Sequence, residues 1–258
     1  MQYDGIEGKR VIVTAAGSGI GAQVARRFAA AGAAVFVCDV DADALAAFQA
    51  AEPGIGTTVA DVSARADVER LFDEALARLG GLDVLVNNAG IAGPAAPIEE
   101  MDVDGWKRCL DVNLTGAFLC VRRAVPEIKA AGGGSIILMS SNAGTMGLSF
   151  RAPYVATKWG VIGLMKTLAM ELGPHRMRVN AMCPGDVEGD RIRRVITMEA
   201  ENRGISYDEV VAERVEAVSL RTMVTADDVA DMMLFLCSDA GAKVSGQAVL
   251  VDGNAERA

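Results

Sequence analysis

The sequence predicts an α/β fold: a single Rossmann-type doubly wound sheet of about seven parallel strands with helices on both faces. Short apolar runs alternate with helical patterns along the 258 residues, as expected for successive βαβ units. The first run leads through a glycine-rich loop into a helix, the arrangement that binds the phosphates of a dinucleotide. No linker interrupts the pattern, so we expect one domain over residues 1–258.

Each predicted strand is a short run of β-branched and other apolar residues. These runs cover residues 10–14, 34–38, 56–60, 82–86, 134–140, 178–183 and 246–253. Helical patterns cover residues 22–31, 41–47, 67–79, 106–131, a stretch from Pro153, 207–218 and 226–236. Residues 82–86 are almost entirely apolar, which indicates a strand in the middle of a parallel sheet.

Charge and hydropathy restrict the partners of this chain. The formal net charge is -9 and the isoelectric point is about 4.8, which argues against binding to nucleic acid or to an anionic membrane. The N-terminus lacks the pattern of a signal peptide, and no apolar run approaches the roughly 18 residues of a membrane span. We therefore expect a cytoplasmic protein whose partners are small molecules or copies of itself.

The cysteines and the histidine argue against a disulfide framework and a zinc site. Five cysteines are scattered without a C-x-x-C pair, as is typical of reduced core residues. His175 is the only histidine, so a zinc site of the usual kind is hard to assemble. Catalysis is therefore expected to use organic side chains and no metal.

The loop after the first strand is predicted to hold the pyrophosphate of a dinucleotide. Its glycines let backbone N–H groups and the start of the next helix face the phosphates. The residues concerned are Gly17, Ser18, Gly19, Ile20 and Gly21. The alternative is a tight turn without a ligand, because a glycine string alone is a modest signal.

Asp39, at the end of the second strand, indicates which dinucleotide is bound. Its carboxylate can accept hydrogen bonds from the adenosine ribose hydroxyls and would repel a 2′-phosphate. Neither Ser18 nor Val40 supplies a cation that would offset the repulsion. The expected cofactor is therefore NAD rather than NADP, with a cap for the following helix as the alternative role of Asp39.

Tyr154 and Lys158 stand one helical turn apart, with Ser141 upstream. An ammonium about 4 Å from a phenol favours the phenolate by up to roughly 4 kcal/mol at an effective dielectric constant near 20. The pKa of the phenol then falls, so that it can exchange a proton near neutral pH, and the Ser141 hydroxyl could hold the oxygen on which charge develops. The same spacing is common on solvated helices, so other motifs must support this hypothesis.

Polar motifs also follow the third and fourth predicted strands. Asp61-Val62 comes after the third strand, where Asp61 could cap locally or face an adenine. Asn87-Asn88-Ala89-Gly90 comes at the end of the fourth strand. Side-chain amides at this edge of the sheet could tie the strand to its neighbour and border a cofactor cleft.

Together these segments resemble the short-chain dehydrogenase/reductase family in its common single-domain form. The matching pieces keep the family's order and spacing from about residue 8 to about residue 253. They are Thr14 through Gly21, Asp61, Asn87-Asn88-Ala89-Gly90, Asn113, Ser141, Tyr154-x-x-x-Lys158 and Pro184-Gly185. Because several independent spacings must coincide, the resemblance is specific.

The resemblance implies a catalytic tetrad of Asn113, Ser141, Tyr154 and Lys158. Tyr154 would be the general acid/base, and Ser141 would steady the reacting oxygen. Lys158 would lower the pKa of Tyr154 and bond the nicotinamide ribose, and Asn113 would hold a water that links the lysine to solvent. From the helical pattern alone, Asn113 is a satisfied core amide. Ser140 is the alternative candidate for the catalytic serine. We prefer Ser141 because its spacing from Tyr154 matches that in the family.

The family pattern extends the expected NAD site beyond the glycine loop and Asp39, and it exposes two departures. The added contacts are Asp61, Val62, Asn88, Ala89, Gly90, Tyr154, Lys158, Pro184, Gly185 and Val187.

Ala15 stands at the family's first glycine, where a positive φ would cost about 1 kcal/mol. Gly189 stands where many members have a threonine that bonds the nicotinamide carboxamide, which leaves the backbone of Val187 as a candidate anchor.

The function implied is NAD(H)-dependent interconversion of a secondary alcohol and a ketone by hydride transfer. Sugar or polyol dehydrogenases and 3-oxoacyl-thioester reductases of the same family are alternatives. A non-catalytic dinucleotide sensor is disfavoured because all four tetrad residues are present, and an epimerase or dehydratase would normally carry a larger C-terminal domain. The family also implies a homotetramer or a dimer.

Residues from about 188 to 225 are predicted to form a lid over the substrate, as this segment does in the family. The expected substrate contacts are Ser141, Arg151 and Tyr154. A partly apolar pocket is indicated by Ile98, Met146, Leu148, Phe150, Met182 and Ile192. Arg151 and the arginines of the lid would allow an acidic substrate, unless these guanidiniums are merely solvated.

Overall fold

The computed structural model describes residues 3–255, in which seven strands pair in parallel to form one sheet. The strands are β1 (Arg10–Thr14), β2 (Ala34–Asp39), β3 (Gly56–Val59), β4 (Val84–Asn87), β5 (Gly134–Met139), β6 (Met177–Pro184) and β7 (Ala248–Val251). Their spatial order is β3-β2-β1-β4-β5-β6-β7. The predicted doubly wound fold is thereby confirmed.

Helices cover both faces of the sheet. They are α1 (Gly19–Ala30), α2 (Ala42–Ala51), α3 (Arg65–Leu79), α4 (Val103–Leu110), α5 (Gly116–Ala130), α6 (Ala152–Leu172), α7 (Asp190–Arg203), α8 (Tyr207–Glu216) and α9 (Ala226–Cys237). Within residues 3–255, none of these helices is long and apolar enough to cross a membrane.

The strand β4 shows how the core forms on both sides of the sheet. Val84 and Val86 are fully buried in the layer that contains α1 and α9, whereas Leu85 is fully buried in the layer that contains α3, α5 and α6. Side chains alternate between the two faces of a strand, so a strand covered on both faces must be apolar at every position. This explains the continuous apolar run in the sequence.

The strand order reverses between β1 and β4, which are neighbours in the sheet. The chain leaves the carboxyl end of β1 toward one edge of the sheet and continues beyond β4 toward the other. A crevice opens at such a switch point, and ligands of doubly wound folds bind there. The glycine loop and the segment Asn87-Asn88-Ala89-Gly90 therefore lie side by side.

The predicted helix over residues 106–131 is interrupted in the structure. The helix α4 ends at Leu110, and a π-helical turn over Asp111–Thr115 precedes α5. Asn113 lies in this turn, and its side chain bonds the backbone of Ile91 outside the helix. Isolated π turns of this kind are frequent at functional sites.

Candidate active site

The glycine loop turns sharply at two residues with left-handed backbone conformations. The φ of Ala15 is +52° and that of Gly19 is +57°, so Ala15 does adopt the positive φ for which glycine is usually required. A Cβ on Gly21 would lie 2.3 Å from the Ala15 carbonyl oxygen and 2.6 Å from Asn88 Nδ2. Only glycine fits there, which brings the start of α1 against the loop.

Thr14 and Asn88 fasten the loop to the end of β4. The Thr14 hydroxyl accepts hydrogen bonds from the backbone N–H groups of Asn88 and Ala89, each at 3.0 Å. The Asn88 amide donates to the carbonyls of Thr14 and Ala15 at 3.1 and 2.9 Å. Asn88 therefore ties β4 to its neighbour, and its bond to Ala15 helps to stabilise the strained residue.

Asp39 closes the glycine loop on the side of β2. One carboxylate oxygen accepts from the Gly17 N–H at 2.8 Å, and the other accepts from the Asp41 N–H at 3.0 Å. The cap of α2 is a different residue, because Asp41 accepts from the N–H groups of Asp43 and Ala44. Asp39 is half-buried and has no ion pair with any residue that the structure describes.

Asp61 and Val62 follow β3, where the sequence predicts the adenine side of the cofactor site. One oxygen of Asp61 accepts from the backbone and hydroxyl of Ser63, and the other accepts from Arg108 at 2.8 Å. Burial raises the pKa of Asp61, but the bonds from Ser63 and Arg108 outweigh it, so the pKa lies below its usual value. Val62 is buried against Gly116. Asp61 therefore has a local role, which is one of the two alternatives for this residue. A contact with adenine would have to use carboxylate oxygens that already accept from Ser63 and Arg108.

Tyr154 stands in the first turn of α6 among three cations. The distances to its ring centroid are 5.5 Å from Lys158 Nζ, 5.4 Å from Arg151 Cζ and 6.0 Å from Arg191 Cζ. Burial raises the pKa of Tyr154, but Lys158, Arg191, a hydrogen bond from Ser141 and Arg151 together lower it below its ordinary value of 10.0. The Tyr154 phenol therefore loses its proton at a lower pH than a free tyrosine does.

Lys158 lies one turn further along α6 and is only 3% exposed. Its ammonium donates to the Met139 carbonyl at 2.8 Å, which leaves two further N–H donors. Burial lowers the pKa of Lys158, whereas the nearby Tyr154 raises it. Ser140 donates to the backbone carbonyl of Lys158 at 2.9 Å, so Ser140 serves to position α6.

Ser141, in contrast, lies beside the phenol of Tyr154. It precedes a short 3-10 turn over Asn142–Gly144, and its hydroxyl accepts from the Ala143 N–H at 3.2 Å. Successive residues in extended backbone point in opposite directions. The hydroxyls of Ser140 and Ser141 therefore have different surroundings. The Ser141 hydroxyl donates to Asn142 Oδ1 at 3.1 Å, a bond that a substrate oxygen beside Tyr154 would have to replace.

Asn113 connects three segments of the site. Its Oδ1 accepts from the Ile91 N–H at 2.7 Å, and its Nδ2 donates to the Ile91 carbonyl at 3.0 Å and to the Thr157 hydroxyl at 3.1 Å. A Cβ on Gly90 would lie 3.3 Å from both Asn113 Oδ1 and Lys158 Nζ, so these two groups flank Gly90. The side-chain amide of Asn113 therefore has its hydrogen bonds within the protein. A water bound to Asn113 would have to donate to the main-chain carbonyl of this residue or to the second lone pair of Oδ1.

The segment after β6 borders the expected nicotinamide position. Val187 forms a parallel bridge with Val224, in which Glu188 donates to Val224 and Val224 donates to Asp186. In such a bridge the N–H and C=O of Val187 point away from Val224. Gly189 has a φ of +141°, which disfavours any other residue. A threonine would therefore be strained at this position.

The helices α7 and α8 lie within residues 188–225, the segment predicted to be a lid, and are joined by ion pairs. Arg214 of α8 contacts Asp186 and Glu199, each at 2.6 Å. Arg203 contacts Glu199 and Glu213 at 3.1 and 2.7 Å. Ile192 packs in a small apolar cluster between the two helices.

A cavity of about 730 Å³ adjoins the start of α6. Three of the predicted pocket residues line it, namely Ile98, Leu148 and Phe150, but neither Tyr154 nor Ser141 does. The prediction that Met182 lines a substrate pocket is wrong, because this residue is fully buried in the core beside α9. Met182 and Cys183 alternate along β6 and enter opposite layers.

Sequence reasoning assigned no role to Thr14 or Thr157, and it missed the individual position of Arg191. Thr14 was quoted only as part of the glycine segment, and Thr157 stands next to Lys158. Their hydroxyls bond Asn88 and Asn113. A polar residue at the end of an otherwise apolar strand could have indicated Thr14. Arg191, in the first turn of α7, lies 6.0 Å from the centroid of the Tyr154 ring, although 37 residues separate the two in sequence, and no local pattern shows this approach.

The chain is similar to known proteins over nearly its whole length. A family model described as enoyl-(acyl carrier protein) reductase matches residues 14–254. The chain is 39% identical to the trans-4-hydroxycyclohexanecarboxylate dehydrogenase of Sinomonas cyclohexanicum, with 97% of this chain and 93% of that protein covered. It is 34% identical to the D-threitol dehydrogenase of Mycolicibacterium smegmatis, with 96% and 93% covered. A solved structure of a variant actinorhodin polyketide ketoreductase with NADPH has a TM-score of 0.92 at 31% identity, with 97% and 98% covered.

Proposed function

The chain belongs to the short-chain dehydrogenase/reductase family, and on that premise we propose that it is an NAD(H)-dependent oxidoreductase that interconverts a secondary alcohol and a ketone. The observation that carries the proposal is the Tyr154 phenol, which lies among Lys158, Arg191 and Ser141 and has a pKa below its ordinary value. The relatives are named for a hydroxy acid and a polyol. These names support a secondary alcohol as the substrate. They do not determine which other functional groups the substrate carries.

The residues at the switch point fit a nicotinamide dinucleotide. A Cβ at Gly19 would meet no atom within 4 Å, so the loop leaves room for phosphates beside the start of α1. Gly17, Ser18, Ile20 and Gly21 would complete that contact. The nicotinamide would be held by Lys158 and the segment containing Pro184, Gly185 and Val187. When bound, the nicotinamide supplies the hydride acceptor for oxidation and the hydride donor for reduction.

The protein's own residues would handle the proton. In the oxidation direction, Tyr154 as phenolate takes the proton of the substrate hydroxyl, while Ser141 donates a hydrogen bond to the same oxygen. Lys158 favours the phenolate by its charge and is oriented by the Met139 carbonyl. Asn113 fixes the loop after β4 against α6 and would support the path by which the proton reaches solvent.

Turnover of NADH tests the proposal directly. The purified protein is mixed with NADH and a panel of ketones, or with NAD⁺ and a panel of secondary alcohols, sugars, polyols and hydroxy acids. We expect the NADH fluorescence to change with time in a manner that depends on the substrate. A dinucleotide sensor would bind NADH and consume none of it with any compound.

The pH dependence of oxidation should report the lowered pKa of Tyr154. Because the phenolate is the reactive form, kcat/KM for the alcohol should rise with pH and level off above the pKa of Tyr154, below pH 10.0. Arg191→Gln removes a charge that stabilises the phenolate, so the rise should move to higher pH. A rise centred at or above the pKa of free tyrosine would contradict the proposal.

Asp39 should make the protein selective for NAD. The carboxylate and a 2′-phosphate repel each other at close range, so we expect kcat/KM with NAD to exceed that with NADP by at least about 100-fold. Asp39→Asn keeps an oxygen that can accept from Gly17 but removes the charge, and it should reduce this ratio at least about tenfold. Asp43→Asn on the exposed start of α2 is the control. Equal use of both cofactors by the unaltered protein would refute the assignment.

A homotetramer or dimer in the cytoplasm is also part of the proposal. Large apolar side chains are exposed on α5 and α6, among them Phe118 at 49%, Trp159 at 51% and Met170 at 82%. Exposed apolar side chains of this size support contacts between copies of the chain. All five cysteines are free and buried, which is compatible with a reducing compartment.

A further inference from the structure

Arg151 and Arg191 present two guanidinium groups around Tyr154. Among residues 3–255, no acidic side chain pairs with either guanidinium and neither donates a hydrogen bond, and their Cζ atoms lie 5.4 and 6.0 Å from the centroid of the Tyr154 ring. Arg151 is half-buried. Arg191 is exposed, as are the other arginines of this range without such a partner, which are Arg122, Arg176, Arg194 and Arg221. What distinguishes Arg191 from these four is its position at the Tyr154 ring.

The electrostatic surroundings of this pair are strongly positive in a chain whose net charge is -9. The groups that act most strongly on Tyr154, Lys158 and Arg151 are cations, the phenol itself, hydroxyls and thiols, and none is a carboxylate. Burial and Arg191 both lower the pKa of Arg151. A partly desolvated guanidinium without an acceptor is unfavourable, and an anion bound next to it would remove that cost.

From this geometry we propose that the substrate is a hydroxy acid or the corresponding keto acid, whose carboxylate is bound between Arg151 and Arg191 while its hydroxyl or carbonyl oxygen meets Tyr154 and Ser141. The inference rests on the proposed oxidoreductase function and adds the class of substrate. A guanidinium can donate two parallel hydrogen bonds to a carboxylate, so the pair can fix the position of the acid.

The two arginines come from different parts of the fold. Arg151 immediately precedes α6, which also carries Tyr154 and Lys158, whereas Arg191 lies in the first turn of α7 in the lid segment. A carboxylate that contacts both would hold α7 over the reacting carbon. Acid binding would thereby be coupled to closure of the site.

The competing explanation is that both guanidiniums act only on the phenol, by keeping its pKa low. In that case their removal would affect every substrate equally, because the phenol serves all of them. A carboxylate contact would instead affect an acid and spare a neutral analogue. The ratio of kcat/KM for a hydroxy acid to that for its carboxamide therefore separates the two explanations.

The experiment compares 3-hydroxybutanoate and 4-hydroxycyclohexanecarboxylate with their carboxamides, using NAD⁺ and the full-length protein. For at least one of these pairs, the unaltered protein should prefer the acid. Arg151→Gln and Arg191→Gln should each reduce the ratio of acid to carboxamide by about 10- to 100-fold. Arg194→Gln, on the same helix as Arg191 but without contact to Tyr154, should leave the ratio unchanged.

Binding provides a readout that does not depend on turnover. The hydroxy acid cannot react with the reduced cofactor, so its complex with NADH and the protein does not turn over. Quenching of NADH fluorescence by the hydroxy acid should be saturable with the unaltered protein and weakened in both glutamine variants, while NADH affinity and Tm stay the same. The inference is overturned if the carboxamides are used as well as the acids in both pairs, or if neither substitution changes the ratio. Turnover of neutral alcohols in that case would leave the proposed oxidoreductase function intact.

Discussion

Tyr154→Phe is expected to lower kcat for alcohol oxidation by about 10²- to 10⁴-fold, the usual contribution of a general acid or base. The substitution removes the hydroxyl that exchanges the proton and keeps the ring that contacts Lys158, Arg151 and Arg191. NADH binding should remain measurable, because the glycine loop and Asp39 are untouched. Stopped-flow or steady-state assays of NADH formation, with a parallel fluorescence titration of NADH, measure both quantities.

Tyr207→Phe is the matched control, since Tyr207 is exposed at the start of α8 and has no place in the proposed mechanism. It should leave kcat unchanged. Turnover retained by Tyr154→Phe would show that another group moves the proton. A loss of both turnover and NADH binding would show that the substitution disturbs the fold, which the Tm of the variant would reveal.

Gly21→Ala should greatly weaken cofactor binding. The added Cβ would lie 2.3 Å from the Ala15 carbonyl and 2.6 Å from Asn88 Nδ2, so either α1 must move or the bonds of Asn88 must break. Overpacking of this kind typically costs about 1 to 3 kcal/mol of stability. Because the displaced atoms shape the proposed phosphate site, we expect the Kd for NADH to rise at least about tenfold. Fluorescence titration and thermal unfolding measure the two effects.

Gly54→Ala tests whether a methyl group alone has this effect. A Cβ at Gly54 would meet no atom within 4 Å, and its backbone is outside the left-handed region. Its effect should therefore stay within about 0.5 kcal/mol. An unchanged Kd for NADH in Gly21→Ala would mean that the loop can shift without cost, and the proposed dinucleotide site would lose its main structural support.

Local patterns predicted most of the fold because the strands are short and apolar and are separated by helices with clear periods. The glycine loop, Asp39 and the pair Tyr154 and Lys158 each lie within one strand–loop–helix unit or one helical turn. Their relative positions follow from spacing in the sequence. The parallel sheet then brings the ends of separate strands to one edge.

Features that depend on distant contacts were not predictable in this way. The π turn at Asn113 reflects bonds to Ile91 and Thr157, which are 22 and 44 residues away in sequence. The position of Arg191 over Tyr154 depends on the path of α7. The wrong prediction for Met182 has a similar origin, because the face on which a buried residue at a strand end lies depends on register rather than on hydrophobicity.

Arg214 couples the predicted lid segment to the segment after β6. Its guanidinium joins α8 to α7 through Glu199 and to the segment after β6 through Asp186. If α8 moves outward, either the segment after β6 moves with it or the ion pair between Arg214 and Asp186 breaks. If α8 moves to release product from the proposed site, the segment that would hold the nicotinamide is therefore disturbed as well, and we expect product release and cofactor exchange to be coupled.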